Sequence, residues 1–111
     1  MNLNAESRTA VRAQLAERID TLGRELSHLS ASRIAFAVDD IRREARGAQM
    51  EALATLASGL ERAMAKSGGN AVVMPYLDAM SDALEGYGKS ARLSAAVQAS
   101  LLASVGLRLH G

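Results

Sequence analysis

Residues 34–64 read IAFAVDDIRREARGAQMEALATLASGLERAM, and this stretch decides the fold. Its apolar residues recur in steps of three or four, so on a helix they share about a third of a turn. They are Ile34, Val38, Ile41, Ala45, Ala48, Ala52, Leu56, Leu60 and Ala63. Charged residues occupy the opposite side. The pattern predicts one amphipathic helix over residues 33–66, about 50 Å long at about 1.5 Å per residue.

The composition favours helix in the rest of the chain as well. Apolar residues make up 49% of the 111 residues, but only three residues are aromatic and one is proline. Alanine is abundant and β-branched residues are sparse, a balance that argues against a sheet. We therefore expect an all-α protein whose residues 1–111 form a single domain.

A first helix is predicted over residues 5–29, where leucines and isoleucines form a narrow apolar seam. The pattern loses phase at Ser30-Ala31-Ser32. This predicts a turn, with Ser30 or Ser32 as the N-cap of the second helix. One kinked, continuous helix is the alternative.

Two further helices are predicted after the glycines at 68 and 69, which are expected to cap the second helix. One spans residues 71–86 and carries Pro75 in its first turn, where proline is tolerated. The other spans residues 91–109, because Gly86-Tyr87-Gly88 is expected to break the chain and Ser90 to cap this last helix.

The elements predict a four-helix, up-down bundle with one long central helix. So long a second helix stays partly uncovered unless it bends near Gly47 or a second copy covers it, and we expect a homodimer. No residue from Leu93 to Leu107 is charged, which is typical of a helix buried on several sides. The predicted interface residues are Phe36, Met50, Leu56, Leu60, Val97, Leu101 and Val105.

Phe36 projects from the charged side of the second helix. There it is predicted to form a second stripe with Met50, Ala54 and Ala57. This stripe could contact another subunit, or an amphipathic helix of another protein, or Phe36 could simply be exposed.

Charge and cysteine content exclude several functions. Thirteen basic and twelve acidic residues nearly cancel, so no nucleic-acid partner is expected. The chain has no cysteine, and therefore no disulfide or thiolate metal site. It has no apolar run of membrane-spanning length and its N-terminus is polar, so no transmembrane segment and a cytoplasmic location are expected.

Three patterns with possible chemistry are better explained without it. His28 is expected to face solvent, as a phosphoacceptor must, but the lysine-glycine signature of histidine phosphotransfer domains does not follow it. Asp39-Asp40 with Glu44, and Asp78 with Asp82, are predicted to be ion-paired or solvated faces rather than a metal site. Gly88-Lys89-Ser90 lacks the earlier glycine of a phosphate-binding loop.

These observations predict no catalytic residue, no metal and no cofactor. We expect a non-enzymatic, homodimeric protein–protein interaction module of adaptor or chaperone type. The alternatives are a phosphotransfer bundle using His28, and a protein that binds lipid or granule surfaces through its last helix.

Overall fold

The computed structural model describes the backbone of residues 3–67 and 70–110, and the side chains of residues 7–66, 70–90 and 97. Within this part of the chain there is no strand, and four α-helices pack against one another. They are α1 (Leu3–Glu25), α2 (Ala31–Gly47), α3 (Glu51–Ser67) and α4 (Val73–His110), with a short 3₁₀ helix, Leu26–His28, after α1. The prediction of an all-α fold is confirmed.

The predicted turn before α2 is also confirmed. The Ser30 side chain accepts a hydrogen bond from the Arg33 N–H at 3.2 Å, as an N-cap does. Leu29 before it is extended, with φ −106° and ψ 142°. A kinked, continuous helix through this region is therefore wrong. The first helix ends earlier than predicted, at Glu25, and continues only as the 3₁₀ helix.

The prediction of one helix over residues 33–66 is wrong, because the chain reverses between α2 and α3. Gln49 adopts a left-handed conformation with φ 62°. The Met50 N–H donates to the Ala45 carbonyl at 2.8 Å, and the Gln49 N–H donates to the Arg46 carbonyl at 3.1 Å. These two bonds form a Schellman motif, which satisfies the free carbonyls at the end of α2.

The reversal changes which side of α3 faces the core. Ala52 is exposed and Leu56 and Ala63 are half-buried, although the continuous pattern placed all three in the core. The buried residues of α3 are instead Leu53, Ala54, Ala57, Leu60 and Met64. The predicted second stripe is therefore wrong: Met50, Ala54 and Ala57 belong to the core, and only Phe36 of that stripe is exposed.

The two predicted C-terminal helices are one helix, α4. Gly86 and Gly88 lower helix propensity but do not block the helix, and packing outweighs their cost of about 1 kcal/mol each. Tyr87 lies between them, and its hydroxyl accepts a hydrogen bond from the Ala52 N–H at 3.1 Å. That N–H lies in the first turn of α3 and has no partner within its own helix. Pro75 occupies the first turn of α4, as predicted.

The helices surround one apolar core. Both α2 and α4 pack against α1 and against α3. The largest side chains that are completely buried are Leu15, Ile34, Val38, Ile41, Leu53, Leu60, Val73 and Met80. Gly59 permits close approach of α3 and α4, because a Cβ atom there would lie 3.1 Å from Tyr76 Cε1. In the described part of the chain, no helix has the length and apolar character required to cross a membrane.

The turn at Gln49 gives a test of the α2–α3 reversal. We expect Gln49→Gly to raise the free energy of unfolding by roughly 0.5–1 kcal/mol, because glycine adopts a positive φ without steric strain and this gain exceeds its entropic cost. Gln49→Ala is the control, since it also removes the side chain that bonds Arg8 but keeps the strain. Urea denaturation measures both. A larger gain for alanine than for glycine would indicate a continuous helix instead.

Candidate functional site

A groove of about 830 Å³ lies between α1 and α2. Leu22 and Ile41, which belong to the core, form part of its floor, together with the half-buried Leu29 and Ala37. Thr21 and Ser32 on its walls are small, so they leave the space between the two helices open. An apolar floor between two helices is the arrangement that binds a third, amphipathic helix.

Phe36 stands at the edge of this groove with 74% of its surface exposed. A single exposed phenylalanine has no special meaning, since much of any protein surface is apolar. Here, however, Phe36 lines the same groove as Leu29 and Ala37. Burying it under a partner would contribute about 1.5–3 kcal/mol. Phe36 is therefore the natural anchor for anything that binds in the groove.

The charged residues around the groove are mostly acidic. Three carboxylates line it, those of Glu17, Glu25 and Asp40. Two guanidiniums also line it, but that of Arg18 is bonded to Glu44 of α2, with 2.7 Å between Nη1 and Oε1. This leaves Arg33 as the other basic group of the lining. A basic ligand is favoured over an acidic one.

The predicted interface residues fall into three groups. Phe36 and Val97 are exposed, by 74% and 56%, and Leu56 is half-buried. Met50 and Leu60 lie in the core of the chain, at 5% and 0% exposure, because the reversal at Gln49 turns their side of the chain inward. We therefore omit these two from any interface. The side chains of Leu101 and Val105 lie outside the described residues.

Nothing in the sequence indicates the groove itself. Periodicity assigns Leu22 and Leu29 to the first apolar seam, and it leaves Phe36 as an isolated aromatic residue on another helix. The groove depends on the spacing and rotation of α1 relative to α2, which periodicity within one helix does not report. The N-cap at Ser30 is the nearest sequence signal, since it fixes where α2 begins beside α1.

His28 is exposed at the end of the 3₁₀ helix, as expected for a residue opposite the apolar seam. Phosphate transfer at His28 remains a prediction. The side chain of His110 lies outside the described residues.

The Asp39 cluster is an ion-pair network, as its sequence predicted. Asp39 is bonded to Arg42 and, with 2.7 Å between Oδ2 and Nη2, to Arg43. Arg42 also reaches α3, with 3.6 Å between its Nε and Glu61 Oε2. Among the described residues no group of three or more acidic, histidine or cysteine side chains could hold a metal ion. The network joins α2 to α3 and has no sign of a catalytic role.

The same network shifts the pKa values of its two carboxyl groups in opposite directions. The hydrogen bond from Arg42 lowers the pKa of Asp39, with help from the charge of Arg43. Burial, together with the neighbouring Asp39 carboxylate, raises the pKa of Glu61. Asp39 therefore stabilises the fold when ionised, whereas ionising Glu61 is opposed by its surroundings.

The remaining candidates lie on α4. Asp78 and Asp82 are exposed on α4, and Gly88-Lys89-Ser90 lies inside that helix rather than in a phosphate-binding loop.

Comparison with known proteins gives no match, since no family model, no curated protein and no solved structure is significantly similar to the chain. The groove is thus the best candidate for a functional site.

Asp39→Asn tests the ion-pair network. A carboxyl whose pKa is lowered by folding contributes stability above its unfolded pKa, and this contribution is lost as the pH falls through the folded pKa. We expect the variant to melt below the wild type at about pH 7, and the difference to shrink as the pH falls below 3.8, the ordinary pKa of an aspartate. Thermal melting monitored by circular dichroism measures this.

Asp78→Asn is the matched control, because Asp78 is exposed on α4 and belongs neither to the groove nor to the ion-pair network. If the two variants melted alike at every pH, Asp39 would have no stabilising role.

Proposed function

We propose that this chain is a non-enzymatic protein–protein interaction module that forms a homodimer and receives an apolar helix in the α1–α2 groove. The observation that carries the proposal is the position of Phe36, largely exposed beside an apolar floor. The sequence also lacks the residue patterns of nucleotide, metal and nucleophilic chemistry. Grooves of this kind recognise helices through apolar anchors spaced at three and four residues.

In this proposal the bundle has up-down topology. Arg8 of α1 bonds Gln49 just after α2, and Arg18 bonds Glu44, as antiparallel neighbours would. Gly23, near the end of α1, lies beside Leu77 in the second turn of α4. Ala52 at the start of α3 bonds Tyr87 of α4. In this topology the two walls of the groove are α1 and α2, which are adjacent in sequence and in space.

The argument for a dimer differs from the one based on sequence. A long, straight second helix would have needed a second copy to cover it, but the fold-back at Gln49 removes that need. The support now comes from the apolar surface that one copy leaves exposed, which among the described residues includes Phe36 at the groove and Met74 and Val97 on α4. Self-association is the simplest way to cover such surfaces.

Phosphate transfer at His28 and surface binding by the C-terminal helix are less well supported. The first rests only on exposure of the imidazole, and the second on a helix with few basic residues beside it. Neither draws support from the geometry of the groove.

Light scattering coupled to size exclusion tests the proposal. We expect the wild type to have twice the 11.7 kDa mass of the chain. We expect Phe36→Asp to weaken dimerisation roughly tenfold to a hundredfold, because it removes an aromatic anchor and adds a charge. The helical content, measured by circular dichroism, stays the same, because the Phe36 side chain is not in the core.

The control is Met74→Asp. Met74 is 42% exposed in the first turn of α4 and does not line the groove. The substitution therefore adds the same negative charge at an exposed apolar residue outside the groove. A wild type that is monomeric at every concentration, or a Phe36→Asp protein that dimerises as tightly as Met74→Asp, would contradict the proposal.

A further inference from the structure

We propose that the helix that fills the groove is the C-terminal part of α4, residues 91–110, from a second copy of the chain. The inference rests on the proposed function and names the partner of that site. Two identical segments and two identical grooves then pair in one symmetric dimer, as a two-fold axis requires.

The first support is the length of α4. It has 38 residues, against 17 each in α2 and α3, which makes it about 57 Å long against about 25 Å. The bond between Ala52 and Tyr87 marks where α3 begins beside α4. Residues 88–110 continue for about 34 Å past this level. The longest dimension of the chain is accordingly 66 Å, three times the other two.

Little of the chain accompanies this extension. α2 ends at the same turn, and Arg8 of α1 already lies beside Gln49 in that turn, so only the first residues of α1 go further. Yet the extension is apolar in sequence: residues 93–107 include four leucines and two valines and carry no charge. Val97 on it is 56% exposed. A helix of this composition is normally covered.

The second support is charge complementarity. Residues 91–110 contain two arginines, Arg92 and Arg108, and no acidic residue. The groove presents the carboxylates of Glu17, Glu25 and Asp40. The apolar middle of the segment thus matches the apolar floor, and its basic ends match the acidic lining.

The segment cannot reach the groove of its own chain. The groove lies toward the end of the bundle where α1 finishes and α4 starts. At that end, a Cβ atom placed on Gly23 of α1 would lie 3.8 Å from Leu77 Cδ1 of α4. A continuous α4 carries residues 91–110 away from that end. In this proposal the occupant comes from another molecule, and two copies placed antiparallel about a two-fold axis supply each other.

Disulfide trapping between full-length chains tests this, because the chain has no cysteine of its own. Ser32→Cys protein carrying an affinity tag, with Phe36 left in place in the groove, is mixed with untagged Leu101→Cys protein and oxidised under mild conditions. We expect the mixed disulfide to exceed each homodisulfide roughly tenfold, because only the groove and the segment approach within disulfide distance. Asp82→Cys replaces Leu101→Cys in the control, since Asp82 is exposed on the part of α4 inside the bundle.

Charge reversal gives a second measurement that does not use cysteine. Arg92→Glu with Arg108→Glu is expected to raise the dissociation constant of the dimer roughly tenfold, by opposing carboxylates to carboxylates. The matched control reverses two exposed basic residues of α3, Arg62 and Lys66, and leaves the constant unchanged.

The outcomes separate this inference from the proposed function. A dimer that depends on Phe36 but yields mainly the disulfide between two copies of Ser32→Cys, or that ignores the reversal at Arg92 and Arg108, would overturn the inference alone. Absence of any dimer would overturn both.

Discussion

The hydrogen bond from the Met50 N–H to the Ala45 carbonyl, 2.8 Å long, closes the turn on which the rest of the structure depends. With Gln49 held at φ 62°, it ends α2 and sends α3 back along it. Without that reversal, the apolar sides of α2 and α3 would face solvent on a single rod. With it, Ile34, Val38 and Ile41 pack in one core with Leu53 and Leu60.

The reversal matters because it brings the apolar sides of α2 and α3 into one core. Leucine, isoleucine and methionine supply most of the buried residues, and Ala45, Ala54 and Ala57 are completely buried among them. Burial of the large side chains removes the most apolar area from water. Close approach adds to this, as where Gly59 lets Tyr76 pack against α3. The ion pair from Arg42 to Glu61 adds a polar contact between α2 and α3.

A feature of the fold could be predicted from the sequence when its signal lay in neighbouring residues. Composition indicated the helical class, the serine at 30 indicated an N-cap, and the spacing of Asp39, Arg42 and Arg43 indicated an ion-pair cluster. The turn at Gln49 escaped because the apolar steps continue through it in phase. In addition, the residue with the left-handed conformation is Gln49, whereas glycine is the usual residue at such a helix end. The nearby glycine, Gly47, lies two residues earlier.

The opposite error at Gly86-Tyr87-Gly88 has a related cause. Glycine lowers helix propensity by an amount that tertiary contacts easily exceed, and Tyr87 is fixed by its bond to α3. The groove lay beyond any local signal, because it results from how two helices sit side by side. Its functional interpretation links the two ends of the molecule: an acidic-edged apolar groove at one and a projecting, basic-flanked apolar helix at the other.

The reversal is tested most directly by a distance between the far ends of α2 and α3. The chain has no cysteine, so spin labels can be attached at Arg33→Cys and Lys66→Cys alone. Pulsed electron paramagnetic resonance on labelled protein diluted with unlabelled protein then measures the distance between the two labels. Antiparallel neighbours with axes about 8–10 Å apart predict a label separation within about 25 Å. A single continuous helix would instead give about 50 Å and contradict the reversal.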